Sequence, residues 1–576
     1  MRVGARPITS ETTEFRLWAP DAEQVAVVIN GEPHIMAADT DGYFVSQCTA
    51  PANTRYRYLI NNTVSVPDPA SRAQSDNVHG ESIVTDPTFT WRHEQWRGRP
   101  WPETVIYELH PGTYGGFAGI THHLPRLAAL GVTAIELMPI ADFPGQHNWG
   151  YDGVLIYAPD RAYGTPADLK TMIDTAHGLG LQVFLDVVYN HFGPDGNYLG
   201  VYAKSFFRDD LHTPWGRAID FRRRQVRDFF IGNALYWLLE FRFDGLRFDA
   251  VHAIAEQDFL HELAASMRAA AETGRHIHLI LENENNDPTL LRERPGGAGF
   301  DAQWCDDWHH CVHVLLTGES EGYYGDFPNP AAQLARCLES GFAYQGEPSA
   351  HADGASRGGP SGHLPTTSFV ICLQNHDQIG NRALGERLIN LAPKRALRAA
   401  MALLLLTPQI PMMFMGEEWG ETRPFLFFTD HGEELGELVR AGRRREFAQF
   451  AGFADAESRE KIPDPNARET FSASIPIPAE SEWTEFCSNL LSLRQRFIVP
   501  GLAGASSMGG ETLSPTAIRA AWRLRDGTIL TLATNFGAQP VPCPPGDATI
   551  AFISDGAFGA DETLPAQSTV LWLAKA

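Results

Sequence analysis

Three carboxyl side chains stand directly behind short apolar runs: Asp249 in Gly245-Leu-Arg-Phe-Asp249, Glu282 after Leu279-Ile-Leu281, and Asp377 in Gln374-Asn-His-Asp377. A fourth acid-bearing segment, Asp186-Val-Val-Tyr-Asn-His191, closes another such run. Strand residues two apart project to the same side, so Arg247 is expected beside Asp249. An adjacent cation lowers a carboxylate pKa and keeps the group ionised, as a nucleophile or oxocarbenium stabiliser must be. Glu282 has no Arg or Lys next to it in the chain and is the better group to hold a proton as general acid. One carboxyl that protonates a leaving oxygen and a second that attacks or supports the anomeric carbon is the pair that glycosidic cleavage requires, and Asp377 would clamp substrate hydroxyls. Any one of the three alone is as well explained as a cap or ion-pair partner in a strand-to-helix turn. Three at different strand ends, each with a His or Arg companion, point to chemistry.

His191, His252 and His376 lack the i, i+4 pairing of zinc proteases, and their Asp-rich surroundings suit hydrogen bonds to sugar hydroxyls better than a metal, so no cofactor is expected. The run Trp304-Cys-Asp-Asp-Trp-His-His310 concentrates Asp306, Asp307, His309 and His310 and reads as a loop.

The elements that must carry these groups follow from periodicity. From Thr104 onward short apolar runs alternate with longer amphipathic ones, the signature of βα units around a parallel sheet. Strands are predicted at 105–109, 134–138, 182–188, 245–248, 277–281, 302–304, 369–373 and 411–415, with helical segments such as 124–130, 167–179 and 226–241 between them. Eight strands suffice for a closed (β/α)8 barrel, whose reactive groups sit at the C-terminal strand ends. The connection from Trp304 to Phe369 exceeds 60 residues and includes the Gly/Ser/Pro-rich stretch 353–365, a length that usually carries function or a lid. Residues 1–95 alternate as strands around Asp41-Gly42 and Pro20-Asp21 turns and read as a β-sandwich, 96–497 as the barrel, and 498–576, with strands at 520–524, 528–534 and 569–573, as a second β-sandwich.

Composition narrows the partners. Lys and Arg number 46 against 70 Asp and Glu, a net charge of −24, which argues against nucleic acid or an anionic membrane and favours a neutral substrate. The chain has 13 Trp, 15 Tyr and 33 Phe, and many of them lie beside Gly and Pro, where platforms for sugar rings would be found, although most must be core. Seven cysteines without CxxC pairing indicate neither a disulfide framework nor a thiolate zinc site, and suit a reducing cytosol. No apolar leader is visible at the N-terminus. The uncharged stretch 399–416 is interrupted by Pro408 and Pro411 and reads as a buried helix and strand, not a membrane span.

Asp186-Val-Val-Tyr-Asn-His191, Gly245-Leu-Arg-Phe-Asp249, Glu282 and Asn375-His-Asp377 together resemble the four short conserved regions of the α-amylase glycoside hydrolase family. The resemblance implies a retaining double displacement with Asp249 as nucleophile, Glu282 as acid/base and Asp377 as transition-state stabiliser. Further segments, among them Asn148-Trp-Gly-Tyr-Asp-Gly153, Leu315-Leu-Thr-Gly-Glu319, Gly341-Phe-Ala-Tyr-Gln-Gly-Glu347 and Phe414-Met-Gly-Glu-Glu-Trp419, resemble the branch of that family that releases trehalose. That similarity implies hydrolysis of the α-1,4 bond joining the terminal trehalose of maltooligosyl trehalose to its α-1,4-glucan chain, after a maltooligosyl trehalose synthase has made the substrate. It also implies that Arg247, His191 and His376 contact the sugar at the cleavage point, that Tyr151 stacks beneath it, that Asp306, Asp307, His309 and His310 define the trehalose side, and that His252 and Gln378 complete the substrate contacts. Glycogen branching enzymes, α-glucan transferases, share the barrel, the four regions and the 148–152 segment, whereas 315–319 and 341–347 favour the hydrolase. Many barrels of the family hold calcium through an Asn at the position of Asn190; the other ligands come from a variable segment, and no metal site is assigned.

Overall fold

The computed structural model describes residues 3–291, 299–544, 548–559 and 562–575. Eight parallel strands close on themselves in sequence order: β1 Ile106–Leu109, β2 Ala134–Leu137, β3 Gln182–Val187, β4 Gly245–Phe248, β5 His278–Leu281, β6 Ala302–Trp304, β7 Phe369–Cys372 and β8 Ile410–Phe414, with β8 pairing back to β1. Their near-continuous apolar character has a direct cause, since a barrel strand is covered on both faces, and every residue of β1 to β8 is buried. All eight coincide with the predicted runs to within a residue or so at either end. Register fixes what faces what at the active end: Asp186 pairs with Arg247, and Phe248 with Leu281.

Ahead of the barrel two antiparallel sheets pack as a sandwich. One contains Thr12–Trp18 and Tyr43–Thr49, the other Val25–Ile29 and Arg55–Ile60. After it comes a five-stranded sheet that includes Ala517–Arg523, Ile529–Asn535 and Ser568–Ala574, with a small two-stranded sheet, Val541–Pro542 with Thr563–Leu564.

The uncharged 399–416 stretch divides where its prolines place the break, into the helix Lys394–Leu406 and strand β8. Arg494, on the helix Glu482–Phe497, donates to the carbonyls of Leu405 (3.2 Å), Thr407 (2.5 Å) and Gln409 (2.8 Å), so the turn between them leaves these groups satisfied although it is buried. Among the described residues no helix is long and apolar enough to cross a membrane.

The run 304–310 is not a loop. β6 ends at Trp304 and the helix Asp306–Thr317 begins at once, with Asp306 and Asp307 in its first turn and Gly318 in the left-handed conformation at its end (φ 74°). Acids at the positive end of the helix dipole and glycine just past the last turn are ordinary helix boundaries, and they account for the density of polar residues that suggested irregular chain. The remainder of the long connection holds a second helix, Pro330–Ser340, and a short strand pair, Glu347–Pro348 with Ser356–Arg357.

Gly245 sets the spacing of β4 against β5. A Cβ there would lie 2.4 Å from the His278 carbonyl oxygen and 3.0 Å from the Phe184 ring. Gly245→Ala is expected to cost about 1–3 kcal/mol through overpacking, read as a lower urea midpoint with an unchanged m-value; an unaltered midpoint would show that the strands do not need this close approach.

Candidate active site

The C-terminal ends of β4 to β7 open into a cavity of about 790 Å³. Tyr151, His191, Asp249, His252, Glu282, Asp306, His310, Asp377 and Gln378 line it. Arg247, His376, Asp307 and His309 are fully or almost fully buried and stand behind its wall.

Arg247 organises the floor. It is wholly buried, its guanidinium 4.0 Å over the Trp304 ring. Nη1 donates to Asp186 Oδ2 (2.7 Å) and Asp249 Oδ1 (2.8 Å), and Nη2 lies 3.0 Å from Glu282 Oε2 as an ion-pair contact outside hydrogen-bond alignment. Glu282 therefore has an arginine beside it after all. The partner comes from the neighbouring strand, which adjacency in the chain does not reveal. Asn190 Nδ2 donates to Asp249 Oδ2 (2.7 Å), and the Ala250 amide donates to Glu282 Oε2 (2.8 Å). Ala250 points its amide there by taking a left-handed backbone conformation (φ 39°), a strained choice for a residue with a side chain.

Burial decides the proton affinities. It raises Asp249 above its ordinary value even though Arg247 pulls the other way, which reverses the lowering expected from the arginine alone. It pushes Glu282 up to about 7, with Arg247 opposing and the charges of Asp249 and Asp377 adding to the rise. Asp306 is also pushed up to about 7, by burial first and then by Glu282 and Asp377. Asp377 goes the other way: burial would raise it, but the His376 imidazolium, Arg247 and a hydrogen bond from Asn381 bring it below its ordinary value. The result is a pair of carboxyls in unlike states, Glu282 able to carry a proton near neutrality beside an anionic Asp377. His191, neutral because burial lowers it to about 4, stacks on the Trp215 ring at 5.0 Å.

Helical periodicity sorts the 306–310 cluster. Asp306 and His310 are one turn apart, share a face and line the cavity. His309 turns away, its Nδ1 2.5 Å from the Leu373 carbonyl and its Nε2 3.2 Å from the Tyr324 hydroxyl. Asp307 accepts the amides of Ala343 (2.9 Å) and Tyr344 (3.0 Å) and pairs with Arg357 (3.1 Å). It thereby anchors the segment that brings Arg357 to the cavity.

Sequence reasoning did not single out Trp215, Tyr323 or Arg357, which also line the cavity. Trp215 had a signal in Thr213-Pro-Trp-Gly216, an aromatic between Pro and Gly, and Arg357 lies in the Gly/Ser/Pro-rich stretch already marked by its length. Tyr323 had none. The Asn190 amide nitrogen is committed to Asp249, and its oxygen faces the His191 imidazole.

The alpha-amylase catalytic-domain model matches residues 88–233, and the model of a domain of unknown function, DUF3459, matches residues 505–572. A malto-oligosyltrehalose trehalohydrolase of Deinococcus radiodurans is 42% identical over 85% of this chain and 81% of its own length, and one from Saccharolobus solfataricus is 42% identical over 76% and 78%. The chain belongs to the malto-oligosyltrehalose trehalohydrolase family. A candidate alpha amylase from Salmonella typhimurium, solved as a crystal structure, superposes with a TM-score of 0.94 at 44% identity, covering 100% of this chain and 99% of that one. A 1,4-alpha-glucan branching enzyme of Nocardia farcinica is 27% identical over 74% of this chain and 60% of its own.

For this trehalohydrolase-family site the pH profile follows from the two carboxyls. With Glu282 as the expected proton donor and Asp249 as the expected nucleophile, activity is expected below the Glu282 value and lost as pH rises through about 7, and the acid limb is expected above the ordinary aspartate value. Because the Asp377 charge helps raise Glu282, the residual activity of Asp377→Asn should show its alkaline limb at lower pH than wild type in kcat/KM profiles. A limb that stays put would remove that coupling.

Proposed function

We propose that the chain cleaves the α-1,4 bond next to the terminal trehalose of maltooligosyl trehalose, releasing trehalose and a maltooligosaccharide, by a retaining double displacement. The observation that carries this reading is one buried guanidinium holding Asp249 and Glu282 at the edge of an open cavity, with Asp377 facing the same space. A single side chain gripping both carboxyls suits the retaining separation of about 5–5.5 Å better than the roughly 6.5–9.5 Å of an inverting pair. The named function of the relatives supplies the trehalose end of the substrate.

In the first step Glu282 gives its proton to the glycosidic oxygen while Asp249 attacks the anomeric carbon, and trehalose leaves with the new hydroxyl. The maltooligosyl chain is then an ester of Asp249. In the second step Glu282, now a carboxylate, takes a proton from water that attacks the same carbon, and the maltooligosaccharide departs with Asp249 regenerated. Asp377, held anionic by His376, bears on the oxocarbenium character between the two steps. Tyr151, His191, His252, Asp306, His310 and Gln378 are the proposed substrate contacts. The division 1–95, 96–497 and 498–576 is proposed as sandwich, catalytic barrel and second sandwich. The substrate is supplied by a reaction that rearranges the reducing end of a maltooligosaccharide into a trehalose unit, and the seven free thiols support action in a reducing cytosol.

Incubation with maltopentaosyl trehalose, and separately with maltooligosaccharides of matching length, is expected to give free trehalose rapidly from the first and slow turnover of the second by chromatography. Longer or branched products from both would identify an α-glucan transferase instead, and no product would leave a silent scaffold. Asp249→Asn is expected to keep the fold and lose at least about 10⁴-fold in kcat.

A further inference from the structure

Glu108 lies on β1, inside the barrel and almost wholly buried, with no surface on the cavity. Its two oxygens are both directed at one residue: Oε1 accepts the Nδ1–H of His376 (2.5 Å) and Oε2 accepts the His376 backbone amide (3.1 Å). The opposite side of the imidazole faces the reaction. Nε2 lies 2.8 Å from the Tyr151 hydroxyl and 3.3 Å from Asp377 Oδ2, and the Tyr151 ring stacks on the imidazole at 5.1 Å. The Tyr151 hydroxyl in turn donates to Asp186 Oδ2 (2.6 Å), an oxygen that also accepts from Arg247. A continuous chain of polar contacts therefore runs from Glu108 through His376 to Asp377 on one branch, and through Tyr151 and Asp186 to Arg247 on the other.

We propose that Glu108 is a positioning residue for glycoside cleavage, fixing the orientation and the charge of His376 so that the imidazolium holds Asp377 as an anion and fixes Tyr151 at the floor of the cavity. The inference rests on the functional reading above, because it matters for catalysis only if Asp377 acts on the sugar.

The groups facing His376 from each element define its charge. Glu108 and Asp377 raise its proton affinity well above the ordinary histidine value against the opposing effect of burial. Glu136 on β2, Asp186 on β3 and His110 just past β1 also interact electrostatically with His376, and Arg247 on β4 acts on Asp377. Burial and its acidic neighbours push Glu136 far above the carboxylate range, and neither of its oxygens has a hydrogen-bond partner among the described residues. His110 is kept neutral by burial, which lowers it to about 3. Glu108 is the acid in direct contact with the imidazole from the side away from substrate.

The Gln variant keeps the size of the side chain but offers one acceptor where Glu offers two, and it carries no charge. Glu108→Gln is expected to lower kcat on the order of 100-fold, the scale of a misplaced catalytic group, while KM moves less than about threefold. The His376 imidazole, assigned in ¹⁵N-histidine spectra by its loss in His376→Asn, should stay protonated through neutral pH in wild type and titrate within the accessible range in the variant. The sign follows from the charge: without the Glu108 carboxylate the imidazolium is lost as pH rises through a lower value, so the alkaline limb of kcat moves down. Glu108→Asp, which keeps the charge and both acceptors, should recover part of the loss. The double variant Glu108→Gln/His376→Asn should be no slower than His376→Asn alone, since Glu108 acts only through that histidine.

Wild-type kcat in the Gln variant at an unchanged melting temperature, or single losses that multiply in the double variant, would overturn the proposal. A wild-type protein that releases no trehalose would overturn the functional reading instead. The histidine titration, and the same kinetics on whichever α-1,4 bond the protein does cut, would still decide the role of Glu108.

Discussion

The guanidinium of Arg247 is the constraint on which the rest of the site depends. Removing a cation from water is expensive, and the interior offsets that cost only when anions are placed around it with good geometry. Asp186 and Asp249 meet Nη1 within hydrogen-bond distance, Glu282 meets Nη2, and the Trp304 ring closes the remaining face. Each partner comes from a different strand or strand end, so the ion cluster can form only if the barrel closes in the observed register. Conversely, the cluster penalises a one-residue slip of β4, which would turn Arg247 and Asp249 outward together and strand Asp186 and Glu282. Catalytic geometry and fold specificity are the same set of contacts here.

Burial then acts differently on acids that look alike in sequence. Asp249 and Glu282 both touch Arg247, yet desolvation outweighs the cation for each, and Glu282 is left near 7. Asp377 receives in addition the His376 imidazolium and falls below its ordinary value. The contrast between Glu282 and Asp377 thus comes from how many positive partners each carboxyl meets. The identity of its chain neighbours does not settle it. Reasoning from adjacency assigned the acid role to Glu282 because no basic residue flanks it in the chain, whereas Arg247 stands beside it across the strands.

What was legible in the sequence was whatever leaves a periodic or compositional trace. Eight doubly buried strands are largely apolar, so each stands out as a run, and the acids that follow them stand out by contrast. The sandwich strands showed themselves by alternation, as in Thr12–Trp18, where every second residue is buried. Contacts that depend on distant partners left no trace. Nothing near Asp307 announces that its carboxylate will take the amides of Ala343 and Tyr344, more than thirty residues away, and nothing around Tyr323 distinguishes it from the many aromatics of the core. Trp215 and Arg357 were half-visible, through a Pro-Trp-Gly turn and an overlong connection, but a turn and a length do not say which way a side chain points.

The 304–310 cluster shows what a wrong element assignment costs. Treated as irregular chain, Asp306, Asp307, His309 and His310 are equivalent, and all four were expected at the substrate. Treated as the first turns of a helix, they separate at once by the 3.6-residue period: 306 and 310 on the face toward the cavity, 309 and 313 on the face toward Tyr324, whose ring stacks on His313 at 4.2 Å, and 307 toward the segment it anchors. Both boundary signals, two acids in the first turn and a glycine after the last, were present in the sequence. The density of polar and aromatic residues concealed them, because a helix that must face a wet cavity on one side and a packed, polar second layer on the other has little room for the apolar stripe by which helices are usually recognised.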